Sequence, residues 1–168
     1  VYTVYENKDD HLLISITQGG MYKLNKETDS FEPYFHHEEY RDIEKIIWDE
    51  THQCYWLGTW GKGIVRFNPE EQSPERQYIP QPLPVDVTGE ATGDTYHMVQ
   101  DDVYHYLWVT TKKDLFAFRI TKDKMLEQVD TSSFLTPGNK MLYEIYKDRD
   151  GKLWVPEKSM LKYAGDRY

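Results

Sequence analysis

The chain has 168 residues, 39% of them hydrophobic and 15% aromatic, enough for one domain with a real core, and this excludes a disordered composition. A formal net charge of −9 leaves no basic surplus to neutralise phosphates, so direct nucleic-acid contact is not expected. One cysteine, Cys54, excludes a cystine-stapled domain.

In chain order, the first predicted strands are Thr3–Tyr5, a run through Leu13, a run from Met21 to Leu24, and Phe31–Phe35. A polar loop, HHEEYRD (His36–Asp42), leads to a second group: Ile43–Trp48, the strand of Trp56, the GIVRF strand ending at Phe67, and a weaker Gln77–Ile79. The third group is Tyr96–Gln100, the strand of Trp108, Leu115–Phe118 and Leu126–Val129. The fourth is Leu142–Tyr146, the strand of Trp154 and Met160–Tyr163, and it stops before a fourth strand. Short runs rich in Ile, Val, Tyr, Phe and Trp, bounded by Gly, Asp and Asn, are strand signals. Asp150-Gly151 adds a hairpin signal. No apolar run approaches a membrane span, and the opening VYTVYENKDD does not read as a signal peptide. That opening and the close LKYAGDRY read as the limits of an excised or partly ordered piece.

The four groups repeat one order of features. Leu13, Trp56, Trp108 and Trp154 share an anchor position, 43, 52 and 46 residues apart. An acidic residue precedes each anchor: Glu6, Asp49, Asp101 and Asp148. After the following turn, Lys23, Arg66 and Lys162 share a place, with Ala117 the exception. A four-stranded antiparallel unit returning every ~40–50 residues is a propeller blade. One small sheet cannot bury both faces alone, whereas stacked sheets cover one another and leave only short edges. The expected fold is all-β, a β-propeller fragment of about four blades at roughly 1–38, 39–82, 92–130 and 138–168, the last incomplete.

The text WLGTWGKGIVRFNP, and more loosely DRDGKLWVPEKSMLKY, resembles the two-component regulator propeller repeat. The other copies depart from it: Leu13 replaces the anchor tryptophan, Thr110-Thr111 and Pro156-Glu157 replace Gly-Thr, and Lys112-Lys113-Asp114 replaces the glycine turn. The resemblance implies part of a seven-bladed propeller in the periplasmic sensor region of a Bacteroides-type hybrid two-component histidine kinase. It further implies a membrane-anchored parent, an oligosaccharide ligand, and contact with neighbouring blades or a second copy. Kinase activity would belong to the parent, so this chain is expected to be no enzyme, with no catalytic residue and no cofactor. Alternatives are a structural or dimerisation module with no small ligand, and a propeller polysaccharide lyase or hydrolase.

Trp60 is the leading ligand candidate, because an aromatic in this turn can stack on a sugar ring. The blade-to-blade loop falls on the same propeller face, which adds His36, His37, Tyr40 and Arg41, with Lys62 in the turn beside Trp60. Metal binding is not expected, because His36, His37, His52, Cys54, His97 and His105 lack a compact ligand spacing. Glu38, Glu39, Glu44, Asp49 and Glu50 are the carboxylates a glycosidase would have to pair in space.

Overall fold

In Cys54–Thr59 the usual strand alternation disappears: all six residues are buried, so both faces of the strand are covered. The computed structural model that shows this describes residues 1–6, 10–70, 73–78, 95, 97–101, 106–111, 115–123, 125–130, 144–157 and 160–163. Of the residues named above, Ile79, Tyr96, His105, Lys112-Lys113-Asp114 and Leu142 lie outside the described residues.

Four antiparallel sheets result, each open, with its strands in chain order. Sheet one is β1 (Thr3–Glu6), β2 (Leu12–Ile16), β3 (Gly20–Asn25) and β4 (Ser30–Phe35). Sheet two is β5 (Ile43–Asp49), β6 (Cys54–Thr59), β7 (Gly63–Asn68) and β8 (Ser73–Tyr78). Sheet three is β9 (His97–Asp101), β10 (Tyr106–Thr110), β11 (Leu115–Ile120) and β12 (Leu126–Val129). Sheet four is β13 (Tyr146–Lys147), β14 (Leu153–Glu157) and β15 (Met160–Tyr163).

Two predicted strands shift. The fourth strand of sheet two starts at Ser73 rather than Gln77. Pro74 does not end it, because β8 is an edge strand and the register shifts where Pro74 meets Phe67. Pro33 sits likewise in the edge strand β4, beside a register shift between Met21 and Tyr22. Proline on an outer strand also removes a donor that would invite edge pairing. The first strand of sheet four is shorter and later than expected, because Glu144 and Ile145 are not in it. The Tyr146–Trp154 register places Pro156 opposite Glu144, and proline has no N–H to extend the ladder.

The sheets stack face to face. Leu13, Met21 and Phe35 of sheet one pack with Ile46, Leu57, Val65 and Phe67 of sheet two. Trp56 and Ile64, on the other side of sheet two, pack with Met98, Leu107, Val109, Phe116 and Phe118 of sheet three. Trp108, Leu115 and Ala117 then meet Ile145 and Leu153 of sheet four. Leu13, Trp56 and Trp108 each face the following sheet. The first strands adjoin, β5 lying beside both β1 and β9.

The acidic residue has a definite task in sheets two and four. Asp49 is fully buried, and its Oδ2 accepts from Trp56 Nε1 at 3.1 Å while Oδ1 accepts from the Thr51 and His52 amides at 3.1 and 3.2 Å. Asp148 does the same in sheet four: Oδ2 accepts from Trp154 Nε1 at 2.8 Å, and Oδ1 from the Asp150 and Lys152 amides at 3.0 and 2.9 Å. These bonds hold the Asp148 carboxyl below its usual range, the indole bond first. One carboxylate thus closes the first hairpin and orients the anchor. Gly151 supplies the left-handed residue of that hairpin, at φ +81°. Glu6 does not share this place. Tyr5 pairs with Leu13 as Ile47 pairs with Trp56, so Glu6 stands one position before the counterpart of Asp49.

The small residue two places after three of the anchors, Leu13, Trp56 and Trp108, is also explained. At Gly58 a Cβ would come within 2.8 Å of Thr95 Cγ2 and 3.2 Å of Met98 Cε, so sheet three passes over bare backbone. Ser15 holds this position in sheet one, accepting from the Thr3 amide at 3.2 Å and donating to the Ile43 carbonyl at 2.6 Å. Thr110 holds it in sheet three. The position requires a small side chain rather than glycine itself, which is why the copies look degenerate there.

Candidate functional site

Two turns and one loop come together at one end of sheets one and two. The Trp60 amide donates to the Asp42 carbonyl at 2.9 Å, and the Gly20 amide donates to the Arg41 carbonyl at 2.9 Å. Asp42 Oδ1 accepts from the Gln18 amide at 2.7 Å. The loop 36–42 is therefore laced to the β2–β3 turn on one side and the β6–β7 turn on the other. Gly20 allows this close approach, because it adopts φ +78° and a Cβ there would lie 2.3 Å from the Phe35 carbonyl oxygen.

On this frame Trp60 is 52% exposed. Gly61 and Gly63, at φ +75° and +70°, form the turn beneath it, and Thr59 Oγ1 donates to the Gly63 carbonyl at 2.8 Å. Lys62 is exposed on the same turn. His36 is exposed, with Nδ1 3.3 Å from the Gly19 carbonyl, and Arg41 is exposed. His37 and Tyr40 stack, centroids 4.7 Å apart at 21°, and the Glu39 amide donates to His37 Nδ1 at 3.3 Å. Burial first, then the Glu39 charge, raises the Tyr40 pKa. All six candidates thus fall on one loop-and-turn surface. His37 and Tyr40 stack on each other, which leaves Trp60, Lys62, His36 and Arg41 as the exposed candidates, beside the exposed Glu38 and Glu39 of the same loop.

Asp49, Glu50, His52 and Cys54 are absorbed into structure. Asp49 holds Trp56, and Glu50 Oε2 accepts from Trp48 Nε1 at 2.8 Å. His52 Nδ1 lies 2.7 Å from Asp49 Oδ2, and Cys54 is buried. Among the described residues no three His, Cys, Asp or Glu side chains gather as metal ligands.

Two clefts were not foreseen. One, of 630 Å³, lies along sheet one by Asp10, His11, Lys23, Lys26, Glu32 and Tyr34, where Lys26 pairs with Asp10 at 2.8 Å. The other, of 330 Å³, lies over β5, β9 and β13 by Lys45, Trp48, His97, Gln100, Tyr146 and Lys147. Lys45 and His97 occupy equal places in successive sheets, a spacing visible in the sequence once the register is known. Lys45 Nζ donates to His97 Nε2 at 3.2 Å, which needs a neutral imidazole.

Burial, then the Lys45 charge, pushes His97 from 6.5 down to about 4. The unfolded chain therefore binds the extra proton first as pH falls. The contribution of neutral His97 is complete above pH 6.5 and is lost progressively between 6.5 and about 4. Partial solvent access limits this to about 1–3 kcal/mol. Urea midpoints measured from pH 7 to 4.5 should fall for the native sequence and fall less for His97→Gln; parallel slopes would refute the assignment.

No protein-family model matches the chain, and no curated protein matches it. Solved structures share its fold. The extracellular domain of BT4673 from B. thetaiotaomicron, described as a one-component system, superposes with a TM-score of 0.67 at 18% identity over 97% of this chain and 21% of that one. The extracellular domain of the hybrid two-component system BT3049 from B. thetaiotaomicron gives 0.62 at 17% identity, over 95% of this chain and 24% of that one. PorZ, a surface component of the type-IX secretion system of Porphyromonas gingivalis, gives 0.58 at 13% identity, over 90% and 24%. The chain spans between about a fifth and a quarter of the length of these proteins. Its four small antiparallel sheets are thus an all-β arrangement that recurs in extracellular sensor-system domains and in PorZ.

Proposed function

We propose that the chain is part of the extracytoplasmic sensor region of a hybrid two-component system. It is a four-blade fragment of a larger, seven-bladed propeller that meets an oligosaccharide on the loop-and-turn surface of Trp60. The observation that carries this reading is the likeness to two-component extracellular domains over nearly the whole chain. The blades are the four sheets, divided at about residues 1–38, 39–82, 92–130 and 138–168. The exposed indole of Trp60 offers an apolar face to a sugar ring, while Lys62, Arg41 and His36 supply donors for hydroxyls or carboxylates. The chain performs no catalytic step in this reading. Phosphotransfer belongs to the rest of a membrane-anchored parent, and the fragment stands in the periplasm. Binding signals only through a difference in affinity between two packing states of blades, domains or subunits.

An array of plant and host oligosaccharides tests this. The native chain should retain at least one glycan, and Trp60→Ala should lose it at least tenfold with an unchanged thermal midpoint, since Trp60 is exposed. Retention of no glycan, or equal retention by the variant, would refute the reading.

A further inference from the structure

The groove of 330 Å³ over β5, β9 and β13 is built where sheet two meets sheet three and where sheet three meets sheet four. Both junctions are complete within this chain. Sheets added before sheet one or after sheet four would lengthen the stack at its ends and leave these junctions as they are. The chain has 29 acidic residues against 20 Lys and Arg, yet no Asp or Glu is among the described residues that line this groove. Its ionisable lining is basic: Lys45, His97 and Lys147, beside the phenol of Tyr146. The local charge is thus opposite to the net charge of the chain.

Lys45 is half-buried, and burial pulls its pKa below the ordinary lysine value. One of its three N–H donors goes to His97 Nε2, an acceptor that carries no charge, at 3.2 Å. Among the described residues the other two have no acceptor, and no carboxylate forms an ion pair with it. A partly desolvated ammonium without a counter-charge lowers stability, so packing does not account for it. Lys147 brings a second ammonium to the same groove, its Nζ donating to the Gln100 carbonyl at 2.9 Å. The apolar lining beside these groups includes Ile47 and Val99, both partly buried, and the half-buried indole of Trp48.

We propose that this groove binds a small monocarboxylate built on a six-membered ring, the carboxylate held by Lys45 and Lys147 and the ring laid against Ile47, Val99 and Trp48. A carboxylate only accepts hydrogen bonds and brings the missing counter-charge. The volume equals that of about eleven waters at roughly 30 Å³ each, room for one ring with its acid group. A phosphate dianion has three oxygens to satisfy and would need more donors than two ammonium groups that each already serve an acceptor. The ring can belong to a sugar acid or to an aromatic acid, since both present the same charge and an apolar face. His97 is a positioning residue here, fixing the Lys45 ammonium. Nothing in the proposal draws on the Trp60 surface.

Calorimetric titration of the full chain with D-glucuronate and with benzoate tests it, with D-glucose and benzamide as their uncharged counterparts. At least one acid should bind saturably, and its counterpart at least tenfold more weakly. Lys45→Met and Lys147→Met should each weaken that acid at least tenfold, while Trp60→Ala leaves it unchanged. In the native chain the His97 ring resonances should move with saturation, a readout that does not depend on whether a variant folds. Binding of glucuronate alone assigns the groove to sugar acids, and of benzoate alone to aromatic acids. Saturable binding of neither acid overturns the proposal. So does binding that survives both lysine variants, that the uncharged counterparts or inorganic phosphate match, or that leaves the His97 ring unmoved. Loss of the acid with Trp60→Ala would place it on the other surface and overturn the proposal as well.

Discussion

Replacing Trp56 by alanine is expected to lower the unfolding free energy by about 3–5 kcal/mol. Trp56 is fully buried between sheets two and three, among Ile64, Met98, Val109 and Phe118. Its loss removes a large transfer term and leaves a cavity between two sheets whose separation is fixed by other contacts. Gly58 already lets sheet three approach to van der Waals contact, so further collapse is blocked there. Against a typical total of about 5–15 kcal/mol, the variant should be marginal. Urea unfolding should show a much lower midpoint, with the slope reporting whether sheets two and three still unfold together. A drop below about 1 kcal/mol would mean that Trp56 is not the plug of that junction.

Asp49→Ala should cost about 2–4 kcal/mol although it removes only a carboxylate. The alanine leaves Trp56 Nε1 and the Thr51 and His52 amides without the acceptor that now serves all three. Asp49→Asn should recover part of the loss. Its carbonyl oxygen can still accept from the two amides, but its NH2 faces the indole N–H, donor against donor. The ordering native, Asn, Ala in urea midpoint is the expected result. The corresponding change at Asp148 should matter less, because that carboxylate is only half-buried, where Asp49 is fully buried, and water can partly replace it. Equal effects at both positions would contradict the role assigned to burial.

The repeat was legible in the sequence because burial dictates it. Anchors must be large, and the turns need Gly or Asp. Trp56, Trp108 and Trp154 each fall on a strand in the expected place. The fourth strands were less legible, since Pro33 and Pro74 argue against strand until the strands are known to be edges. Glu6 was misaligned because the register of β1 depends on pairing opposite Leu13, which spacing alone does not reveal. The loop 36–42 was legible as polar, but its lacing to Gly20 and Trp60 runs through backbone groups that carry no residue code. The Lys45–His97 contact crosses 52 positions between sheets and has no local signal at all.

The chain has five tryptophans, so indole N–H resonances give five probes of one surface and its core. Titrating the native chain with oligosaccharides released from plant pectin and host mucin, and following those five signals, locates the site directly. The Trp60 indole is expected to shift with saturation while those of the buried anchors Trp56 and Trp108 stay in place. Saturable shifts confined to Trp48 or Trp154, with Trp60 unmoved, would contradict it.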